Sequence, residues 1–443
     1  MSQKEKAGIA RLLTVAVIVT SNYELPAAAE TRDFLRIVSV DTPIPGGIGN
    51  FATWIGATSL GNIVFAGAGA DSQRGIYQFD RAARTIAPIV DSNTSPPAYP
   101  RLKDNLPQNI SNFGLSVYGP DVSFVAPDIV NNRNTISVFT TRGGLHRVNY
   151  APSGATTFPS GPTSLDATGV AFHVSYSSDR PYPRLANDVD AVLDDGTLVY
   201  GYRYGDVQDF RRVGGSVYTA GLGMTVGTLG PQYVQGPGFS MNYSYGALIP
   251  GNVQLPGESG RWVSTYLDPT WSVDDRTTVF EAASSATANG AITRLGLFSA
   301  TGGSPLQVVA DNNTIIPGRD NVTTFGGFGG AVVDGGVIVF EGGPTATLNG
   351  TSTGPLGIFV KAGGSLYELV AEGDTLDGRT ISRLFFNKDR AFSGSDFVFT
   401  ASFTDGSSGL YLASVPEPGF AFIAATVAFP LLARGRRHRA LHP

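Results

Sequence analysis

The sequence predicts an all-β protein built from short antiparallel strands joined by tight turns. Three observations predict it. The chain is poor in charge and rich in glycine, it shows no long apolar period of 3.6 residues, and one turn-plus-aromatic motif recurs six times. Charged residues make up 15% of the 443 positions, whereas soluble domains average roughly 25%. Glycine occurs 56 times and proline 28 times. A Gly-, Thr-, Ser- and Val-rich chain of this kind favours many short strands over helices.

The recurring motif is a turn with Gly or Asp, then apolar-x-aromatic, then a small residue. It reads LGNIVFAG at Phe65, GPDVSFVA at Phe124, DDGTLVYG at Tyr200, DDRTTVFEA at Phe280, DGGVIVFEG at Phe340 and GSDFVFTA at Phe399. The aromatics are 59, 76, 80, 60 and 59 residues apart. A second aromatic follows each first one, at Tyr77, Phe139, Tyr218, Phe298, Phe359 and Tyr411. Gly143-Gly144, Gly302-Gly303 and Gly363-Gly364 then precede apolar runs. Gly-Gly supplies the positive φ of a tight hairpin turn. The runs end in Asp91-Ser92-Asn93-Thr94, Asp311-Asn312-Asn313-Thr314 and Glu372-Gly373-Asp374-Thr375. Asp and Asn in such turns bond their own backbone. One unit is therefore a four-stranded meander: a leading strand, two aromatic strands and an outer strand.

The sixth unit stops at Ser414 without its outer strand. Residues 35–42, LRIVSVDT, match the outer-strand runs LQVVADNNT and LYELVAEGDT. A first strand that completes the last unit would close a ring and remove exposed sheet edges. The expectation is a six-bladed β-propeller over residues 30–414, closed by the N-terminal strand. Propeller blades commonly repeat every ~40–50 residues, so units near 60 imply longer loops. Residues 219–270 hold several Gly-Pro or Pro-Gly steps and little strand pattern, and read as an insertion. An array of β-sandwiches is the alternative. A single unit is too short for a cysteine-free sandwich of ~100 residues, although two paired units would suffice.

The two ends differ from the body. Residues 1–29 carry basic residues, an apolar run from Leu12 to Thr20 and Ala27-Ala28-Ala29. This is the plan of a secretory signal peptide cut after Ala29. At the other end Val415-Pro416-Glu417-Pro418 precedes the apolar segment 419–433, then Arg434, Arg436, Arg437 and Arg439. A 15-residue helix spans only about 22 Å, short of the roughly 30 Å hydrocarbon core, and the Arg cluster should stay cytoplasmic. This order of parts over residues 415–443 resembles the PEP-CTERM sorting tail of Gram-negative bacteria. The resemblance implies short helical signal and tail segments, transient inner-membrane insertion, and processing by signal peptidase and an exosortase. It also implies delivery to the cell envelope or extracellular matrix, often beside exopolysaccharide. Pro430 departs from a smooth apolar helix.

Composition excludes several functions. There is no cysteine, so no disulfide, thiolate metal site or Cys nucleophile exists. The net charge is -5, and with the positive ends removed the body stands at -10. An acidic body argues against nucleic acid as partner. No nucleophile-elbow, H-E-x-x-H or phosphate-loop pattern occurs. The histidines outside the tail, His146 and His173, stand without a catalytic neighbour in sequence. Gly326-Gly327-Phe328-Gly329-Gly330 reads as close packing near a propeller axis. Asp188, Asp190, Asp194 and Asp195 cluster, and oxygen ligands suit Ca²⁺. Their spacing lacks EF-hand order, so no cofactor or metal is assigned. Tyr176, Arg180, Tyr182, Arg184, Tyr202, Arg203 and Tyr204 form the candidate ligand loop, because aromatics beside Arg can stack on and hydrogen-bond sugars. The sequence thus points to an exported, non-enzymatic binding or scaffold protein. A secreted glycan hydrolase or lyase is the alternative.

Overall fold

The computed structural model describes residues 33–69, 73–93, 114–130, 133–148, 157–167, 169–176, 189–193, 198–199, 207–213, 216–221, 232–234, 246–247, 255–257, 263–265, 271–274, 277–285, 292–301, 305–320, 322–344, 356–388 and 390–415. All regular structure among them is β, in seven antiparallel sheets. The first strand of the chain is β1 (Phe34–Ser39). Sheet I holds β2 (Phe51–Ser59), β3 (Asn62–Gly69), β4 (Arg74–Asp80) and β5 (Thr85–Asp91). Sheet II holds β6 (Ser116–Tyr118), β7 (Asp121–Val130), β8 (Arg133–Thr140) and β9 (His146–Arg147). Sheet III holds β10 (Thr157–Asp166), β11 (Gly169–Tyr176), β12 (Val189–Leu193) and β13 (Leu198–Val199). Sheet IV holds β14 (Val207–Val213), β15 (Ser216–Gly221), β16 (Gln232–Val234) and β17 (Gly246–Ala247). In sheet V, β18 (Val263–Thr265) and β19 (Trp271–Val273) both pair with β20 (Thr277–Ser285), followed by β21 (Ile292–Thr301) and β22 (Gln307–Asp311). Sheet VI holds β23 (Gly327–Asp334), β24 (Val337–Gly343), β25 (Gly357–Ala362) and β26 (Ser365–Ala371). Sheet VII holds β27 (Thr375–Leu376), β28 (Arg379–Phe385), β29 (Phe392–Ser393), β30 (Asp396–Phe403) and β31 (Ser408–Ser414), with β1 on its far edge.

Seven sheets stand where the repeat implied six units. The difference lies between residues 157 and 247. The TLVYG segment enters the outer strand of sheet III, β13, and GSVYT is the second strand of sheet IV, β15. The repeat had joined them as one unit. Part of the stretch read as an insertion, 219–270, supplies β16 and β17 of sheet IV and β18 of sheet V. An apolar-aromatic alternation marks a strand but not its place in a sheet. With β11 and β15 counted as second strands, their aromatics fall at Phe65, Phe124, Phe172, Tyr218, Phe280, Phe340 and Phe399, 46 to 62 residues apart.

The paired aromatics are directly cross-strand. Phe65 lies opposite Tyr77, Phe124 opposite Phe139, Phe340 opposite Phe359 and Phe399 opposite Tyr411. Their rings stack at 5.5, 5.5, 5.6 and 5.8 Å. Each such pair contributes about 1 kcal/mol beyond area burial. In sheets I and VI a leading Phe closes edge-on against the third-strand ring, Phe51 on Tyr77 and Phe325 on Phe359, both at 4.9 Å. This explains the glycine two residues after the motif aromatic. A Cβ on Gly67 would lie 2.8 Å from the Phe51 ring, and one on Gly342 2.9 Å from the Phe325 ring.

β1 pairs antiparallel with β31, Phe34 opposite Ala413, Arg36 opposite Tyr411 and Ser39 opposite Gly409. Its register slips between Arg36 and Val38. The outer strands β5, β22 and β26 slip at the matching place against their own third strands. The turns that follow also agree. Thr42 Oγ1 accepts from Ser39 N at 2.9 Å, and Thr314 Oγ1 accepts from Asp311 N at 3.0 Å. Asp311 Oδ1 accepts from Asn313 N and Thr314 Oγ1, the local Asp capping expected of these turns.

Leading strands pack side by side from sheet to sheet, β2 with β6, β6 with β10, β10 with β14 and β19 with β23, and β2 packs against β29 and the second strand β30 of sheet VII. This is the packing of a β-propeller. Turns of successive sheets are also bonded to one another. Gly119 N donates to Ser59 Oγ (3.2 Å), Gly336 N to Asp274 Oδ2 (3.3 Å), Gly394 N to Asp334 Oδ2 (2.6 Å) and Leu60 N to Ser393 Oγ (3.2 Å). Arg390 reaches three other sheets. Its carbonyl accepts from Thr58 N at 2.7 Å. Its guanidinium donates to Ser116 Oγ at 3.3 Å and to the Leu165 carbonyl at 2.7 Å.

Candidate functional site

A half-buried acid, Glu341 of β24, lies where sheets VI and VII meet. β24 places Glu341 directly after the buried Phe340, so its side chain leaves the opposite face of the sheet. The register against β23 jumps from Phe328–Gly342 to Ala331–Phe340. Two glycines, Gly329 and Gly330, therefore oppose one glutamate in a β-bulge. A Cβ on Gly329 would sit 2.5 Å from Glu341 Oε2 and 2.9 Å from its Cβ, so a larger residue here would have to displace the Glu341 side chain. Gly330 N donates weakly to Glu341 Oε2 at 3.4 Å, and the Phe386 amide also bonds the carboxylate. Burial pushes the Glu341 carboxyl up to about 7, against the opposing pull of these amides and then of Arg383 and Lys388. A carboxyl so placed exchanges its proton near neutral pH.

Sheet VII supplies the rest. On β28, Ile381 and Leu384 are buried, whereas Ser382, Arg383 and Phe385 are exposed. The strand slips register between Ile381 and Arg383, which turns Arg383 and Phe385 outward together. Phe385 is 47% exposed. The next residue, Phe386, is buried and packs edge-on against Phe397 at 5.2 Å. One strand thus presents a cation and an aromatic face beside a half-buried acid. Such a set can stack on a ring and hold an anion.

The residues singled out in sequence fare differently. Tyr176 ends β11. Arg180, Tyr182, Arg184, Tyr202, Arg203 and Tyr204 lie outside the described residues, as do Pro416, Glu417, Pro418, Arg434, Arg436, Arg437 and Arg439. So do the signal segment 1–29 and the apolar segment 419–433. Among the described residues no helix is long and apolar enough to cross a membrane. His146 is exposed, with Nδ1 2.8 Å from the Gly144 carbonyl. His173 stands on β11 opposite Ala191, and Asp190 on β12 opposite Val174. Asp188, Asp194 and Asp195 lie outside the described residues. Among the described residues no three His, Asp or Glu side chains group as metal ligands. Gly326–Gly330 leads into and forms the bulged start of β23. Sequence reasoning missed Glu341, although a signal was present. VFEG and VFEA place an acid where the other described repeats carry Ala66, Val125 and Thr400.

A family of unknown function (DUF7453) matches residues 252–422, a span that contains sheets V to VII apart from β1. No curated protein matches the chain in sequence. Among solved structures, the chain is similar to the β-propeller domain of the trilobed protease from Pyrococcus furiosus, at 6% identity and TM-score 0.40, covering 84% of this chain and 97% of that one. It is similar to the polysaccharide lyase Uly1, at 8% identity and TM-score 0.42, covering 86% and 98%. It is also similar to an α-L-arabinanase from Penicillium chrysogenum, at 11% identity and TM-score 0.31, covering 87% and 98%.

Proposed function

We propose that the protein is exported and sorted through its C-terminal Pro-Glu-Pro tail, and that its body is a closed seven-bladed ring serving as a non-enzymatic binding scaffold of the cell envelope or extracellular matrix. One observation carries this reading. Phe34 pairs with Ala413, and Val415 N donates to the Ser395 carbonyl at 2.7 Å. The signal segment and the sorting tail therefore join the body beside each other on one sheet. Both can be cut away without disturbing a strand. While the tail sits in the inner membrane, the body hangs from that single corner, with its remaining sheets free to meet extracellular polysaccharide. Signal peptidase and an exosortase are the transient partners. The ring needs sheets IV and V to meet, since the other neighbours already pack in series.

A second reading, a glycan-acting enzyme, draws on Glu341 and its near-neutral titration. Glycoside hydrolysis generally needs two carboxylates roughly 5–10 Å apart. Among the described residues the charged groups acting on Glu341 are Arg383 and Lys388, both cations, a setting that suits the holding of an anion.

The test is the intact mass of the protein secreted by a Gram-negative host that carries an exosortase. The reading predicts a chain that starts near residue 30 and lacks the Arg434–Arg439 cluster. A secreted chain that keeps those arginines would overturn the sorting mechanism.

A further inference from the structure

We propose that Arg383, Phe385 and Lys388 form a binding site for an acidic saccharide, with Glu341 as the internal carboxylate that competes with the ligand. The inference rests on the scaffold reading above and names its ligand class. Phe385 carries it first. A half-exposed phenyl ring on a leading strand contributes little to the core, which its neighbours Leu384 and Phe386 already fill. A pyranose ring lays its C–H face on such a surface. Arg383, two residues earlier and also exposed, is placed to take a carboxylate on the same sugar through paired N–H donors. Lys388, in the segment after β28, adds a second positive charge to the seam.

Glu341 makes the site responsive to protons. Among the described residues the charged groups that act on it are Arg383 on β28 and Lys388 in the following segment. β23 opposes it with glycines alone, and β25 places Ile358 opposite it. Ionised Glu341 neutralises part of the cationic field and competes with a ligand carboxylate. Protonated Glu341 does not, and leaves that field to the ligand. Binding of an acidic saccharide is therefore stronger below pH 7 than above it, and reciprocally the bound ligand raises the proton affinity of Glu341.

Titration calorimetry of the purified mature protein tests this, with trigalacturonate, maltotriose and acetate as probes at pH 6 and pH 8. Trigalacturonate should bind at least ten-fold more tightly at pH 6. Maltotriose should bind at least ten-fold more weakly than trigalacturonate, which isolates the charge. Acetate should bind far more weakly still, which isolates the ring. Glu341→Gln should bind equally at both pH values, and Arg383→Ala should lose at least ten-fold at pH 6. Should Arg383→Ala disturb folding, Arg383→Gln keeps most of the stem and should show the same loss with an unchanged melting temperature. Absence of trigalacturonate binding at pH 6, equal binding of maltotriose, or a pH dependence surviving in Glu341→Gln would each overturn the proposal. None of these outcomes touches the export reading, which the mass of the secreted chain decides separately.

Discussion

Sheets VI and VII share one plan but obtain their outer strands differently. In sheet VI, β26 is joined to β25 by the Gly363-Gly364 hairpin, with φ of 54° and 90°. In sheet VII the equivalent strand, β1, comes from the far end of the chain. A two-residue turn fixes the first at little entropic cost, whereas the second must close a loop of hundreds of residues. In sheet VII a side-chain clasp ties the donated strand to the turn before β28 and to β31. Arg36 of β1 lies 3.3 Å from Asp377, whose carboxylate also accepts from the Tyr411 hydroxyl at 3.1 Å. Arg379 donates to Tyr411 Oη (3.3 Å) and Ser407 Oγ (2.8 Å), and its guanidinium covers the Phe403 ring at 4.2 Å. Burial, followed by the charge of Asp377, pushes the Tyr411 hydroxyl up to about 12. Distance in sequence is thus offset in sheet VII by contacts through Asp377 and Arg379, while the contiguous sheet V ties its own outer strand through Arg294 and Asp311, 2.6 Å apart.

Removing the donated strand should produce the largest effect. Deleting Phe34–Thr42 takes Ile37 and Val38 from the core and leaves β31 as a bare edge. Circular dichroism on heating should show no cooperative transition. An unchanged melting curve would mean that sheet VII is complete without β1.

Glu341→Gln should follow, with a pH signature. The folded-state pKa is raised from 4.5 to about 7. The stabilisation from protonation is fully present below about pH 4.5 and is lost as pH rises through 7. The variant should match the parent below pH 4.5 and be more stable at pH 8, by up to about 3 kcal/mol. Urea unfolding at the two pH values checks this, and equal stability at pH 8 would contradict the burial argument.

Arg390→Ala should destabilise by about 2 kcal/mol, because the Leu165 carbonyl and the Ser116 hydroxyl each lose a donor. Asp377→Ala should cost about 1 kcal/mol, since the Arg36–Asp377 pair is largely exposed. Denaturant midpoints measure both, and a larger loss for Asp377→Ala would mean that the clasp outweighs the bridge between sheets. Leu60→Gly should go the other way. Leu60 is 67% exposed at φ +49°, and glycine there should stabilise by about 1 kcal/mol, visible as a small rise in melting temperature.

Much of this was legible in the sequence. The stacked pairs Phe65–Tyr77, Phe124–Phe139, Phe340–Phe359 and Phe399–Tyr411 follow from the repeat, and residues 35–42 announced themselves as an outer strand by matching LQVVADNNT. The sheet count was not legible. Between residues 157 and 247 the outer strand of one sheet and the second strand of the next both read as apolar-x-aromatic, and periodicity carries no record of which neighbour a strand will choose. Glu341 escaped because its character comes from Gly329, Gly330 and Phe386, which only folding brings to it. Arg383 and Phe385 escaped because a β-bulge, not an alternating pattern, turns them outward.

Hydrogen exchange at Phe34–Ser39 tests the central claim most directly, since it reads the donated strand without altering it. Protection equal to that of Ser408–Ser414, lost in the same unfolding event, is the predicted result. Exchange of those six amides at the rate of an unstructured peptide, with β31 still protected, would contradict it.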